Sequence, residues 1–226
     1  MQIRPAMHCF SNSSHRRVVS ASVLALMALG GARANASGLA VQVQDAAGKA
    51  LPDTIVYVEA EGPAAAAKSP ASAEIEQRSL KFMPLVTVVQ TGSKIQFPNN
   101  DKVRHHIYSF SAAHKFDQKL YSGQSATPQV FDKAGTVVLG CNIHDKMLAY
   151  VKIVDTPYFA KTDAAGAARI ELPAGKYVVK AWHYNTVGGA TPEQALTVKA
   201  GDALSAATFK LPMKPPAVDD APSPAY

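Results

Sequence analysis

Apolar and polar residues alternate in short runs along most of the chain after residue 37, and this pattern predicts β-strands. Residues 38–60 indicate a strand, a turn and a second strand, since positions 39–43 and 54–58 both alternate on either side of turn residues. Between residues 74 and 154, further apolar runs recur at a spacing of roughly ten residues, with turn residues between them. They cover positions 75–80, 85–90, 94–98, 105–110, 117–121, 128–131, 136–141 and 148–154. Such a series is typical of a β-sandwich or barrel, and only 111–116 is compatible with a short helical turn.

The segment after residue 155 has the same character as residues 38–60. Strands are predicted at 168–172, 176–182, 194–198 and 205–211. Residues 61–73 are rich in Ala, Pro and Ser, which predicts a linker or a surface loop. The final stretch, PPAVDDAPSPAY, has too little apolar surface to order itself, so residues 213–226 are expected to form a flexible tail.

The first 36 residues have the pattern of a leader. A positive region with three arginines is followed by an apolar run of about a dozen residues at 18–29. Ala34-Asn35-Ala36 is a small-residue cleavage site, with 32–34 as a competing frame. The run is short for a membrane span, and a retained N-terminal anchor is the alternative. We therefore predict a signal peptide at residues 1–36 and export of the mature chain.

Removal of this leader changes the charge and the cysteine count. Four of the 23 Lys and Arg residues lie in positions 1–36, so 19 remain against 17 Asp and Glu, and the net charge falls from +6 to +2. This value gives no support to nucleic-acid binding. Cys9 is lost with the leader, which leaves Cys141 as a lone thiol and excludes a disulfide framework. A lone cysteine is often buried and inert, so the residues around Cys141 decide its role.

Cys141, His144 and Met147 form a C-x2-H-x2-M motif directly after the apolar run at 136–140. A thiolate, an imidazole and a thioether belong to the ligand set of a one-electron copper site, which also has a second imidazole. The adjacent pair His105 and His106 can supply it. Because neighbours in a strand point to opposite faces, one of the two is expected to take part.

The stretches FPNNDKVRHHIYSF and VFDKAGTVVLGCNIHDKM resemble the cupredoxin (small blue copper protein) family over roughly residues 73–154. The short gaps on both sides of His144 are similar to the ligand loop of amicyanin, whereas plastocyanin has a longer gap before the methionine. The resemblance implies that His105 is the ligand and that His106 occupies a bracing position, with His106 as the alternative ligand. It also implies that Asn100 forms the turn before this strand and that the Asn142 N–H points towards the thiolate.

The whole chain is similar to periplasmic cupredoxin-like proteins often labelled methylamine utilisation proteins, and this resemblance implies that the exported chain is periplasmic. Its flanks, VQVQDAAGKALPDTIVYVE and TDAAGAARIELPAGKYVVKAWHYN, resemble a carboxypeptidase-regulatory-like (transthyretin-like) β-sandwich. The resemblance implies a discontinuous sandwich at 38–60 and 155–212, with a copper unit inserted at 73–154. Alternatively, 38–60 adds two strands to the copper unit. The implied fold is all-β, with a Greek-key cupredoxin sandwich and a small transthyretin-like sandwich.

These features favour an exported electron carrier that holds one type 1 (blue) copper ion through His105, Cys141, His144 and Met147 and has no catalytic residues. His144 is implied to lie at the surface as the route for electrons. The main alternative is a copper trafficking or buffering module. An enzyme is disfavoured, because a methionine-capped site leaves no open position for a substrate.

The expected partner is a redox protein, such as a cytochrome c or a dehydrogenase, and the chain is expected to be a monomer without stable membrane insertion. Five basic residues around the copper unit either form a rim that steers an acidic partner or are an ordinary solvated surface. They are Lys102, Arg104, Lys115, Lys133 and Lys146.

Overall fold

The structure, a computed structural model, describes residues 37–62, 71–121, 127–199 and 204–215. Its strands are mostly short and follow one another in this order: β1 Gly38–Asp45, β2 Ile55–Ala60, β3 Ser72–Glu74, β4 Glu76–Arg78, β5 Lys81–Met83, β6 Val86–Gln90, β7 Ser93–Gln96, β8 His105–Ser111, β9 His114–Tyr121, β10 Gln129–Phe131, β11 Gly135–Cys141, β12 His144–Val154, β13 Phe159–Lys161, β14 Ala167–Glu171, β15 Gly175–Trp182, β16 Glu193–Val198 and β17 Ser205–Leu211. A single 3₁₀ turn, Val187–Gly189, is the helical element among the described residues. In these ranges no helix is long and apolar enough to cross a membrane.

Strands from the two ends of the described chain pair with each other. β1 lies between β14 and β17, and β2 lies between β13 and β15, with β16 at the edge of that sheet. The chain leaves this region after β2 and returns at β13, where Phe159 pairs with Tyr57. The domain boundaries inferred from the sequence stay a prediction.

The strands of residues 72–154 form three further sheets. The largest has the order β6-β12-β11-β8-β9, a second has the order β10-β7-β3, and β4 and β5 form a hairpin. One buried cluster lies among these strands and includes Ile107, Leu139, Cys141 and Met147. Alternation along β11 produces this arrangement, because its odd-numbered residues from Val137 to Cys141 face inwards, as period-two side chains do.

A separate cluster joins the two groups of sheets. Ile55 and Tyr57 of β2 and Trp182 of β15 pack with Val86 of β6 and Val154 of β12. Val86 begins β6 and Val154 ends β12, and Val88 of β6 and Tyr150 of β12 pack against the same cluster. One side of the five-stranded sheet is therefore partly covered by β2 and β15.

The all-β prediction is confirmed, and the structure corrects it locally. The helical turn at 111–116 is wrong, because Ser111 ends β8 and His114 begins β9 with a two-residue turn between them. The predicted loop at 61–73 is wrong at its end, where β3 pairs with β7. The predicted leader lies outside the described residues, as does most of the predicted tail.

Candidate metal centre

Three of the predicted ligands lie together at one end of the five-stranded sheet. The Cys141 Sγ is 3.7 Å from the His105 Nδ1 and 3.5 Å from the His144 Nδ1. The possible ligand atoms of the three residues all lie within 4.8 Å of one another. The two imidazole rings are tilted, with centroids 5.0 Å apart. The structure thus brings the thiol of Cys141 together with one imidazole from 36 residues upstream and one from three residues downstream.

The hairpin between β11 and β12 places Cys141 and His144. Gly140 pairs with Leu148, but the next residue, Cys141, pairs with His144, so residues 145–147 have no partner on β11. This bulge breaks the two-residue alternation of the strand. His144 and Met147 would otherwise point to opposite faces, since they are three positions apart. The bulge therefore explains how His144 approaches Cys141 while Met147 is also buried.

His105 reaches the site from β8, the strand beside β11. Cys141 pairs with Ile107, which puts the start of β8 next to the end of β11. The His105 side chain is 0% exposed. Its Nε2 lies 2.9 Å from the Asp101 Oδ2, while its Nδ1 faces the thiol. A ring whose Nε2–H donates to a carboxylate keeps a lone pair on Nδ1, as a metal ligand requires.

The carboxyl group of Asp101 is held by three donors. Its Oδ1 accepts a hydrogen bond from the Ser79 N–H at 2.6 Å, and its Oδ2 accepts one from the Leu80 N–H at 3.0 Å in addition to the His105 contact. Burial by itself would raise the pKa of Asp101, but the hydrogen bonds from Leu80, His105 and Ser79 lower it below its usual value. Asp101 is therefore an anion at neutral pH.

His106, the alternative ligand, lies outside the cluster. Its side chain is half-buried on the opposite face of β8, and its Nε2 contacts the Asp117 carboxylate on β9. The Asp117 side chain is 61% exposed. The structure therefore places His105, and not His106, beside Cys141 and His144.

Met147 lies in the buried cluster that also contains Cys141. It is 1% exposed and packs with core residues of the same sheets. Burial alone is what a core methionine would show, since Met often fills gaps between apolar side chains. Met147 is thus buried in the same core cluster as Cys141, and its role as a ligand stays a prediction.

The donor geometry fits a shared metal ion. A metal–sulfur bond of about 2.3 Å and a metal–nitrogen bond of about 2.0 Å, meeting at about 110–120°, separate the two donor atoms by about 3.5–3.7 Å. The observed sulfur–nitrogen distances are 3.5 Å and 3.7 Å. Two imidazoles and one thiol at these distances form a donor set that suits copper, whereas structural zinc sites have four protein ligands. The residues present therefore fit copper.

Tyr121 adds a half-buried phenol near this site, opposite His105 on β9. Its hydroxyl donates a hydrogen bond to the Phe97 carbonyl at 2.6 Å and also contacts the Gln77 amide. Burial raises the pKa of Tyr121 to about 12, and the charge of Cys141 adds to this effect, while the Gln77 hydrogen bond opposes it. The phenol is therefore neutral at ordinary pH and does not compete as an anionic ligand.

The structure contradicts one sequence-based expectation about asparagines and refines another. The Asn142 N–H donates a hydrogen bond to the His106 carbonyl at 3.1 Å, so it ties β11 to β8 instead of pointing to the thiolate. Asn100 lies in the turn before β8 as expected, but it is exposed, and its neighbour Asn99 makes the hydrogen bonds that organise the turn. The Asn99 amide donates to the carbonyls of Val103 and Tyr121 at 2.9 Å and 3.0 Å, and its Oδ1 accepts from the Asp101 N–H.

The surface beside the cluster is mixed in character. His144 is half-buried, and the neighbouring Ile143 is 49% exposed. Of the predicted basic rim, Lys102, Arg104 and Lys146 are exposed in segments next to the ligands. Lys115 pairs with Phe110 at the far end of the β8–β9 hairpin, and Lys133 precedes β11 at the end opposite Cys141. The rim is therefore smaller than the five residues expected from the sequence.

The sequence predicts neither the role of Asp101 nor the β11–β12 bulge. Asp101 stands four residues before His105 and next to two asparagines, so an acidic residue near a ligand histidine was the available signal. The bulge had no signal, because the partner strand determines which residues of β12 stay unpaired.

No protein-family model matches the chain, and a search of curated protein sequences gives no match. Several solved structures are similar to part of it. A purple cupredoxin from Nitrosopumilus maritimus is 21% identical, with 36% of this chain and 98% of that chain covered and a TM-score of 0.32. A reduced Cu(I) form of an amicyanin variant is 19% identical, with 43% of this chain and 97% of that chain covered and a TM-score of 0.34.

A copper-containing nitrite reductase from Thermus scotoductus SA-01 is 20% identical. The similarity covers 42% of this chain but only 25% of the reductase, with a TM-score of 0.35. Similarity of this extent assigns neither a metal nor an activity. The chain is thus similar, over part of its length, to cupredoxins and to a segment of a copper enzyme.

Proposed function

We propose that the protein is an exported type 1 copper protein that carries single electrons between periplasmic redox partners. The observation that supports this most directly is the buried thiol of Cys141 between the Nδ1 atoms of His105 and His144. Copper bound there would cycle between Cu(I) and Cu(II). The same proposal includes an amicyanin-like ligand loop and membership of the methylamine-utilisation-like proteins.

The burial of the donors supports electron transfer over exchange of the metal. His105 and Cys141 are 0% and 3% exposed, and the Asp101 contact fixes the His105 ring. A protein that holds its ligands in one arrangement limits the movement that accompanies a change of oxidation state. A closed donor set also hinders ligand-by-ligand transfer of copper to another protein. His144, as the half-buried donor, is the proposed route for electrons to a cytochrome c or a dehydrogenase-like partner.

Addition of Cu(II) to the purified metal-free protein tests this function. We expect an intense visible absorption from charge transfer between the Cys141 thiolate and copper, because the metal deprotonates a coordinating thiol. Cys141→Ala and His105→Gln should lose this band. His106→Gln is the matched control, since His106 is adjacent in sequence but lies outside the cluster, and this variant should keep the band.

A colourless Cu(II)-loaded wild-type protein contradicts the proposal. A coloured protein with a reversible potential and rapid exchange of electrons with a c-type cytochrome supports the carrier function. Transfer of copper to a metal-free acceptor, without electron exchange, would instead indicate trafficking or buffering.

A further inference from the structure

The Asp101 carboxylate connects the candidate metal centre to a turn that contributes no ligand to it. One oxygen accepts from the Ser79 N–H, and the other accepts from the Leu80 N–H and lies 2.9 Å from the His105 Nε2. Ser79 and Leu80 form the turn between β4 and β5, and both have positive φ values, 54° and 56°. The side chain of Asp101 is only 13% exposed. Its charge is therefore held close to His105 and shielded from most of the solvent.

His105 has little freedom to turn in this arrangement. The ring is fully buried, and the Asp101 contact occupies Nε2 while Nδ1 faces the Cys141 Sγ. Rotation of the ring would leave a buried carboxylate without one of its donors, which is costly in a poorly solvated site. The carboxylate thus selects both the tautomer and the orientation of this imidazole.

The charge of Asp101 has a second consequence for a redox ion. Cu(II) carries one more positive charge than Cu(I), so a fixed negative charge close to the centre stabilises Cu(II) more. A carboxylate that accepts the Nε2–H also makes the imidazole a stronger electron donor. Both effects favour the oxidised ion and lower the reduction potential.

We propose that Asp101 is a positioning residue of the copper centre, which orients His105 and lowers the reduction potential of the bound copper. This inference rests on the proposed function. The simpler alternative is that Asp101 only closes the Ser79–Leu80 turn, in which case its charge has no influence on the metal.

The neighbouring pair His106 and Asp117 offers a matched control. It repeats the histidine–carboxylate contact on the next residue of β8, but its carboxylate is 61% exposed and its histidine lies outside the cluster. Asp101→Asn and Asp117→Asn each remove one negative charge. Only the first removes it beside a proposed ligand.

The experiment is a measurement of the midpoint potential of the copper-loaded wild-type protein and of both variants. Asp101→Asn should keep the visible band but have a higher potential. Loss of a carboxylate that contacts a ligand histidine changes metal affinity by about tenfold at the lower end of its range. A tenfold loss in the preference for Cu(II) over Cu(I) corresponds to a rise in the potential of about 59 mV for one electron. Asp117→Asn should stay near the wild-type value. Asp101→Glu, which keeps the charge, should return part of the shift.

A coloured, redox-active wild-type protein with equal potentials in Asp101→Asn and Asp117→Asn overturns the role of Asp101 and leaves the proposed function intact. A colourless wild-type protein overturns both. If Asp101→Asn does not fold, nitrogen-detected NMR of the metal-free wild-type protein at mildly alkaline pH tests the role of Asp101, because no metal then dictates the tautomer of His105. The expected spectrum has a proton on the His105 Nε2 and none on its Nδ1, whereas a protonated Nδ1 contradicts the inference.

Discussion

Substitution of Met147 separates its role as a core residue from its predicted role as a copper ligand. The side chain is 1% exposed and packs in the cluster with Leu139 and Cys141. Truncation by Met147→Ala removes buried atoms and leaves a cavity, which should lower the free energy of unfolding of the metal-free protein by about 2–5 kcal/mol. Met147→Leu conserves volume and should cost less than about 1.5 kcal/mol. These two losses are expected whether or not the thioether binds copper.

The copper-loaded proteins distinguish the two roles. Met147→Leu keeps the packing but removes a soft sulfur donor. Loss of a donor should destabilise Cu(II) more than Cu(I), so the midpoint potential should rise and the visible spectrum should change. Leu139→Ala is the matched control: it truncates a fully buried residue of the same cluster that is not a proposed ligand. It should lose stability while keeping its spectrum and potential.

Urea denaturation of the metal-free proteins measures the packing effect, and absorption spectra with voltammetry measure the metal effect. The reasoning is refuted if the Met147→Leu copper protein has the spectrum and the potential of the wild type. Met147 would then be a core residue only, and the copper site would have three protein ligands from the described cluster.

Two further predictions concern stability. Gly166→Ala should lower the free energy of unfolding, measured in urea, more than Gly48→Ala does. Both glycines have positive φ (72° and 86°), but an added Cβ meets the backbone of Val43 and Leu51 only at Gly166. The backbone strain at Gly48 alone should cost about 1–2 kcal/mol, and equal losses in the two variants would contradict this reasoning. Burial lowers the pKa of His183 below 6.5, so the folded state binds fewer protons than the unfolded state. The free energy of unfolding should therefore fall as the pH decreases from 6.5 towards the folded-state pKa, by at most about 1.4 kcal/mol per pH unit. His183→Gln should lose this component, and a metal-free variant with the same change in stability between pH 7.5 and 5 as the wild type would show that His183 does not contribute.

The strand predictions succeeded mainly for long strands, although the three-residue strand β10 also falls within the predicted run at 128–131. The long strands β1, β11 and β15 alternate over seven or eight residues, which is enough to predict them from their own sequence. β3, β5 and β13 have three residues each, and no periodicity can be read from so few positions. Their pairing with β7, β4 and β2 creates them, so they belong to the tertiary structure.

The conformation of residues 111–116 could not be predicted from their own sequence, although most of them belong to long strands. Its residues have no helical period and no clear alternation of their own, and the sequence allowed a helical turn there. In the structure, Phe116 pairs with Ser109 and His114 pairs with Ser111, so the hairpin continues almost to its turn. Cross-strand pairing decided the local conformation, as is usual for β-structure.

The amino-acid sequence by itself determined the all-β class and the local part of the candidate site. Cys141 and His144 are joined by two residues, so covalent geometry keeps them close in any folded hairpin. The tertiary structure decided the contacts between residues far apart in the chain. It brought His105 and not His106 to the thiol, placed Asp101 against the far side of that ring, and introduced the bulge that buries Met147. These choices depend on which strands become neighbours and in which register, and a one-residue shift would exchange the two faces of β8.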